Sequence, residues 1–204
     1  MFKFNLKGDQ RMNLSIISAS KRSFPVVIAI LFLSCFLTIS SPQISSAASA
    51  SEIDISVNVA LDRFRTEIPG GREYLQNAKG VLVIPNVIKV GFFLGGEYGE
   101  GALLVGGKTV DYYSLAAGSF GFQFGAQSKN IVVVFMDQDA LNRFRDSLGW
   151  RAGVDGSIVF IDTGGGASAN TDNVRHPVVG FVFGLKGLMA NVSLEGAKFT
   201  KITK

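Results

Sequence analysis

The chain has 204 residues, a formal charge of +4 at pH 7, and 17 phenylalanines among its apolar residues. Of its 20 basic and 16 acidic residues, five and one lie in the first 50 positions, which leaves 15 of each beyond them. The positive charge therefore belongs to the N-terminal segment, which removes the usual inference from a basic chain to a nucleic-acid partner. About 150 residues remain beyond that segment, a common size for one domain.

Residues 1–50 have the organisation of a secretory signal peptide. Basic residues come first, an apolar run covers residues 26–39, and the segment ends at Ala48-Ser49-Ala50. We expect cleavage after Ala50, which gives a signal peptide of residues 1–50, a single domain of residues 51–204, and a periplasmic or secreted protein of a bacterial envelope. Because the apolar run is shorter than the roughly 20 residues that span a bilayer, an uncleaved anchor is the less favoured alternative. Met12 is an alternative start, since a normal signal peptide follows it.

The chain has one cysteine, Cys35, and it lies within this segment. Ser34 suits a bacterial lipoprotein signal, but Phe32 and Leu33 suit it poorly, and the apolar run continues past Cys35. Lipid attachment at Cys35 is therefore the less favoured hypothesis. A chain cleaved after Ala50 has no cysteine in its sequence, which excludes a disulfide, a thiolate nucleophile and a cysteine metal site.

An amphipathic helix is predicted directly after residue 50, ending at Pro69-Gly70-Gly71. Its apolar residues recur at steps of three and four: Ile53, Val57, Ala60/Leu61, Phe64 and Ile68. A second helix is predicted over residues 72–79, with Gly80 as its C-cap. The first helix either only covers the sheet or also touches a membrane. Its polar face mixes acids with bases, which favours the first alternative.

Short apolar runs separated by glycines predict β-strands over most of the remaining chain. Turns are predicted at Pro85-Asn86 and at residues 128–130, a bend or hairpin is predicted at Gly95-Gly96, and a tight hairpin is predicted at Gly106-Gly107. Residues 131–136 are apolar throughout and are predicted to be buried on both faces of the sheet.

A third helix is predicted after Asp137, which suits the N-cap position. Leu141, Phe144 and Leu148 form its inner face, and Gly149 ends it. One or two strands over residues 150–162, a flexible loop over residues 163–177, and two strands over residues 178–185 and 188–202 complete the chain. About eight to ten strands with two or three helices predict an α+β fold with a mostly antiparallel, curled or closed, barrel-like β-sheet.

Four glycine-rich blocks carry a resemblance to a known family. They are residues 78–85 (AKGVLVIP), 95–101 (GGEYGEG), 118–127 (GSFGFQFGAQ) and 184–196 (GLKGLMANVSLEG). In this order they resemble the SYLF domain, from about Leu61 to Ile202. The resemblance implies a lipid-binding module of the kind found in bacterial envelope proteins and in eukaryotic proteins that bind phosphoinositides and the actin cortex. The sequence departs from the family at Asn191, where glycine is expected.

Residues suited to catalysis are sparse in the sequence. His176 is the single histidine, and its sequence neighbours do not complete a metal or general-base site. Ser119 lies in a strand pattern rather than in the strand-to-helix turn of a hydrolase nucleophile. Glu97 and Glu100 are three positions apart in a strand and should point to opposite faces. We expect no enzyme activity, no cofactor and no metal site.

A lipid-binding site is predicted around the boundary between the helices and the sheet. Basic side chains there suit an anionic headgroup, and phenylalanines suit an acyl chain. The predicted residues are Arg63, Phe64, Arg65, Arg72, Lys79, Lys89, Phe92, Phe120 and Phe122. A solid phenylalanine core and a solvated charged surface are the alternatives.

The predicted function is non-enzymatic binding of phospholipid, either of an acyl chain or at a membrane surface. The alternative is a structural or protein-interaction module that binds a partner through a strand edge or the Phe-rich surface.

Overall fold

The computed structural model describes residues 48–91, 94–120, 125–162, 176–187 and 196–204, with the backbone alone at positions 119 and 120. The described helices are α1 (Ala50–Glu67), α2 (Gly71–Asn77) and α3 (Gln138–Asp146). The described strands are β1 (Gly80–Gly91), β2 (Leu94–Val105), β3 (Lys108–Phe120), β4 (Gly125–Phe135), β5 (Trp150–Arg151), β6 (Val159–Asp162), β7 (Val178–Gly187) and β8 (Lys198–Ile202).

These strands form one sheet in the order β5-β8-β3-β2-β1-β4-β7-β6. Neighbouring strands are antiparallel, except that β6 and β7 are parallel. The fold is α+β, and the sheet curls into a half-barrel. This confirms the predicted fold class. The first two strands in the chain, β1 and β2, lie at the centre of the sheet.

Helix α1 packs on one face of the sheet, which we call the α1 face. Its predicted apolar residues, from Ile53 to Ile68, are all buried. The Phe64 ring packs edge-on against Phe181 of β7, with 4.9 Å between ring centroids. Ser49 caps the helix: its side chain accepts a hydrogen bond from the Glu52 backbone N–H, and the Glu52 carboxylate accepts one from the Ser49 N–H. Helix α1 is therefore docked along its whole apolar stripe.

Helix α3 packs on the opposite face, which we call the α3 face. Asp137 caps this helix by accepting a hydrogen bond from the Ala140 N–H, as predicted. Phe144 is buried in the core of this face. The Trp150 ring lies 5.7 Å from the Phe144 ring and 5.8 Å from the Phe199 ring, centroid to centroid. Each face of the sheet thus carries a helix.

The ends of two helices differ from the prediction. Leu148 is 99% exposed, because α3 ends at Asp146 and the extended residue Ser147 is its C-cap. Leu148 therefore does not belong to the inner face of α3. Helix α2 ends at Asn77 with Ala78 as its extended C-cap, so Gly80 is not a cap but the first residue of β1.

The two predicted turns, and the predicted bend or hairpin at Gly95-Gly96, lie inside strands. Pro85-Asn86 forms a bulge in β1, with Asn86 at a φ of 50° and its N–H donating to the Asn130 side-chain oxygen at 3.1 Å. Gly95-Gly96 lies in β2, and residues 128–130 lie in β4. At Pro85-Asn86, residues typical of a turn thus form a bulge within a strand rather than its end.

Two strand predictions are confirmed. Gly106-Gly107 connects β2 and β3 as a tight hairpin, with φ values of 58° and 76° that glycine adopts without strain. Residues 131–135 are buried throughout, whereas Met136, the last residue of the predicted run, is half-buried and follows the end of β4. Most of the predicted loop, residues 163–175, and the start of the predicted last strand, residues 188–195, lie outside the described residues.

Candidate functional site

Helix α1 covers only part of the α1 face, and the uncovered part carries exposed apolar side chains. Ile88 and Val90 on β1 and Leu94 and Tyr98 on β2 are between 53% and 67% exposed. Ile88 and Tyr98 are directly paired across the two strands. We call these four residues the apolar strip.

Strand register places the apolar strip on the α1 face. Tyr98 is four residues before Ala102 on β2, and Ala102 is buried in the core beneath α1. Because side chains alternate between faces along a strand, Tyr98 and its partner Ile88 share the face of Ala102. The bulge in β1 at Ile84/Val87 is what brings Ile88 and Val90 to this face.

The residues around the apolar strip have small side chains and leave the strip open. Tyr98 pairs with Ala116 of β3, and Val90 pairs with Ala126 of β4. A Cβ atom added at Gly96 or Gly118 would meet nothing within 4 Å among the described residues. The strip is therefore a shallow surface rather than a pocket.

One row of residues, paired from strand to strand, passes through Ile88 and Tyr98 of the apolar strip. A lysine lies at each end of this row. Ile88 pairs with Ser128, which pairs with Lys186 of β7. On the other side, Tyr98 pairs with Ala116, which pairs with Lys198 of β8. Both lysines are exposed. The row thus combines apolar residues in the middle with a positive charge at each end.

The opposite face of the same strands carries a buried group of charges. Lys89 lies between Ile88 and Val90 in sequence, and it pairs across the strands with Glu97. Lys89 Nζ lies 3.3 Å from Glu97 Oε1, and Lys129 Nζ lies 2.8 Å from Glu97 Oε2. The three side chains are at most 5% exposed. We call Lys89, Glu97 and Lys129 the buried charge group.

The predicted arginines of α1 are paired within their own helix. Arg63 donates to Glu67 at 2.7 Å, and this hydrogen bond is the main cause that raises the pKa of Arg63. Arg65 lies 2.5 Å from Asp62. Their positive charges are therefore largely balanced locally. The guanidinium of Arg63 also lies 5.9 Å from the centroid of the buried Phe183 ring.

A pocket of about 280 Å³ lies at the other end of the sheet, between the helices and the β2–β3 hairpin. Arg65, Asn58 and Gln76 supply its polar lining. Its apolar and glycine lining consists of Leu61, Leu75, Ala78, Gly80, Val81, Leu104, Gly106 and Gly107. This volume is just below the range of about 300–1,000 Å³ for ligand sites. Of the predicted site residues, Arg65 is the one that lines this pocket.

The structure separates the predicted site residues rather than bringing them together. Arg72 and Lys79 are exposed, whereas Phe64 is fully buried in the core beneath α1. The position predicted for Lys89 is wrong: it is buried on the α3 face, because Glu97 binds it there. Phe92 and Phe122 lie outside the described residues, and Phe120 is described by its backbone alone.

Phe181 and Phe183 favour the alternative of a solid core over an acyl cavity at this place. Both rings are buried, and both pack against Phe64, at centroid distances of 4.9 and 5.8 Å. The prediction that Glu97 and Glu100 face opposite sides is confirmed. Glu97 is in the buried charge group, and Glu100 accepts a hydrogen bond from the Tyr98 hydroxyl at 2.8 Å.

The apolar strip was not predicted. Residues 87–90 (VIKV) read as one apolar run with a lysine, and the face of each residue depends on the bulge at Pro85-Asn86. A bulge shifts the alternation by one residue, so a strand read as regular assigns every following side chain to the wrong face. The alternation of Ile88, Lys89 and Val90 is the signal that could have indicated a two-faced strand.

The described part of the chain offers little for other kinds of site. No group of three or more histidine, cysteine, aspartate or glutamate side chains suited to a metal ion occurs within it. Among the described helices, none is long and apolar enough to cross a membrane.

The described surface combines an open, apolar part of the sheet with a small pocket at its other end. Residues 116–204 match a family model described as "Ysc84: Las17-binding protein actin regulator". This is the SYLF family, and the match confirms, over these residues, the resemblance carried by the glycine-rich blocks. The matched region begins within β3 and excludes the apolar strip. No curated protein was found to match the chain.

Proposed function

We propose that this protein is a phospholipid-binding module that docks on a membrane surface through the apolar strip. The observation that carries the proposal is the set of four exposed apolar side chains on two paired central strands. Contiguous exposed apolar surface on a soluble domain is typical of a protein-interaction or membrane-interaction site. The lysines at the two ends of the row favour a membrane, because lysine heads reach the anionic headgroup layer while their stems cover apolar surface.

The expected affinity follows from the size of the strip. Full burial of a large apolar side chain contributes about 1.5–3 kcal/mol, and these four are already partly buried, so each contributes about half of that. Each lysine near an anionic surface adds about 1 kcal/mol. Loss of translational and rotational freedom opposes both contributions. We therefore expect weak, reversible and salt-sensitive docking.

The test is vesicle co-sedimentation of the purified protein carrying Ile88→Ser and Val90→Ser. Vesicles of phosphatidylcholine with phosphatidylglycerol should bind the wild type. The affinity of the double variant for these vesicles should be lower by about tenfold or more, since two apolar contacts disappear. Pure phosphatidylcholine should bind the wild type less, because the lysines then have no anionic headgroups to meet.

The chain offers a matched control on the outer side of α1. Ile55 and Val59 are 62% and 56% exposed, close to the 55% and 54% of Ile88 and Val90. Ile55→Ser with Val59→Ser removes the same kind of exposed surface and should leave vesicle binding unchanged. Equal losses in both double variants would contradict the strip as the docking surface.

A protein partner is the second candidate, and the family description favours it. The matched family model names a Las17-binding actin regulator. A shallow apolar surface also suits a protein. On this alternative, the strip variants would lose the partner while the wild type would show no preference for anionic vesicles.

We also propose an envelope location, after cleavage of residues 1–50. The support is the organisation of those residues as a signal peptide. Cell fractionation with mass measurement of the mature chain tests it. A full-length chain in the cytoplasmic fraction would contradict the location, and a lipid-modified mass beginning at Cys35 would favour the lipoprotein alternative.

A further inference from the structure

The buried charge group is unbalanced. Lys89 and Lys129 bring two positive charges, and Glu97 brings one negative charge. Within the described part of the chain, Glu97 is the one carboxylate at ion-pair distance from either lysine. Burial of an uncompensated charge is costly, and native proteins usually avoid it by pairing.

Part of the hydrogen-bonding capacity of the group is also unsatisfied. Lys129 Nζ and Glu97 Oε2 are 2.8 Å apart, but the contact has poor hydrogen-bond geometry, and neither atom has a hydrogen-bond partner among the described residues. An ammonium group has three donors. Lys129, with a side chain that is 0% exposed, therefore has donors for a further acceptor.

The group lies near one end of the sheet. Lys89 is two residues from the end of β1, where Gly91 pairs with Gly125 of β4. Both glycines are partly exposed. Of the three charged side chains, that of Lys89 is the most exposed, at 5% against 3% for Glu97 and 0% for Lys129.

We propose that Lys89 and Lys129 form an internal binding site for a phosphate-class oxyanion. Glu97 holds the two ammonium groups together in the structure described here, and the oxyanion supplies the missing negative charge and the acceptors. Lysine binds phosphate as a point charge, without the bidentate geometry of arginine. The site is on the α3 face, opposite the apolar strip, so it does not depend on the docking proposed above.

The first test measures the Tm of the protein in inorganic phosphate, against sodium chloride of equal ionic strength. At a phosphate concentration about 100 times the Kd, the wild-type Tm should rise by about 5–10 °C. Lys89→Met leaves a balanced pair of Lys129 and Glu97, so it should fold and lose this rise. Lys108→Met removes the same charge from the exposed β2–β3 hairpin and should keep it.

The second test uses Glu97→Gln, which leaves two buried lysines without a carboxylate. This variant should have a lower Tm than the wild type and a larger rise in Tm with phosphate, because the oxyanion then compensates both lysines. A wild type and a Glu97→Gln variant that both fail to respond to phosphate more than to chloride would overturn the site.

A third test distinguishes a soluble phosphate compound from a lipid headgroup as the ligand. Glycerol 3-phosphate in solution and phosphatidic acid in phosphatidylcholine vesicles carry the same chemical group. A response of the Tm to both indicates a site open to free phosphate, and a response to the vesicles alone, lost in Lys89→Met, indicates a lipid headgroup. The Ile88→Ser and Val90→Ser variant should keep its response to inorganic phosphate even if it loses vesicle docking, so failure of one proposal does not imply failure of the other.

Discussion

At the residue scale, Phe64 joins helix α1 to the sheet. Its ring is 0% exposed and packs against Phe181 and Phe183 of β7. Phe64→Ala should lower the free energy of unfolding by about 3–5 kcal/mol, because it removes a buried ring and leaves a cavity. Urea denaturation measures this. Ile55→Ala on the exposed side of the same helix is the control and should cost far less.

Vesicle binding by Phe64→Ala distinguishes an α1 that stays docked on the sheet from an α1 that leaves the sheet for lipid. If α1 stays docked, the folded fraction of the variant should bind vesicles as the wild type does, since the apolar strip is intact. A small change in stability combined with weaker vesicle binding would contradict the docked helix and would favour an α1 that leaves the sheet for lipid.

Tyr113 makes the stability of the fold depend on pH in the alkaline range. Burial, reinforced by the charge of Asp111, raises the pKa of Tyr113 to about 12. A tyrosine in the unfolded chain has a pKa of about 10. The folded state therefore favours the protonated form. The resulting stability is fully present below pH 10 and is lost as the pH rises toward 12.

The corresponding prediction compares the wild type with Tyr113→Phe. The Tyr113 hydroxyl is buried and has no hydrogen-bond partner among the described residues, so the variant should be as stable as the wild type or more stable at pH 8. Between about pH 9 and 12, the wild type should lose about 2–3 kcal/mol relative to the variant. Lysine deprotonation affects both proteins equally, so the difference isolates Tyr113. Parallel pH profiles in urea denaturation would contradict the prediction.

At the element scale, the start of α1 depends on a residue of the predicted signal peptide. Ser49 and Glu52 form a capping box, and Ala48 packs against the core beneath α1. Ser49→Ala should cost about 1 kcal/mol of unfolding free energy. Ser51→Ala, two residues later on an exposed position, is the control and should be nearly neutral. Thermal denaturation of the two variants measures the difference, and equal Tm values would contradict the cap.

Cleavage after Ala50 would remove this cap. Asp54 is poorly placed to replace Glu52 in a new capping box starting at Ser51, because its carboxylate accepts hydrogen bonds from Thr109 and Tyr112. The mature chain would then begin with a frayed first turn.

Helices were more predictable than strand faces for a physical reason. The period of Ile53, Val57 and Phe64 is set by the helix alone, so local sequence suffices. The face of Ile88 depends on a bulge whose position is fixed by pairing with β4 and by the Asn130 side chain. The apolar strip and the burial of Lys89 follow from that non-local pairing, which local alternation does not specify.

At the scale of the whole molecule, the order of the strands makes the N-terminal half indispensable. The family match covers residues 116–204, but β1 and β2 form the centre of the sheet and precede it. Residues 116–204 expressed alone should show no cooperative melt by circular dichroism, because β3 and β4 lose the two strands that separate them. The chain from residue 48 to 204 is the control and should melt cooperatively. A cooperative melt of the shorter segment would contradict the central role of β1 and β2.

The chain has a single tryptophan, Trp150, and its place in the fold determines what intrinsic fluorescence can report. It is 4% exposed, and it lies in the short strand β5, which pairs with β8 at the edge of the sheet. Its emission should therefore be that of a ring shielded from water and should change when this edge opens. The apolar strip lies on β1 and β2, on the opposite face, so attachment of lipid there should leave the emission spectrum unchanged. A tryptophan introduced at Tyr98 would give the strip a fluorophore of its own, with Trp150 as the internal reference for folding.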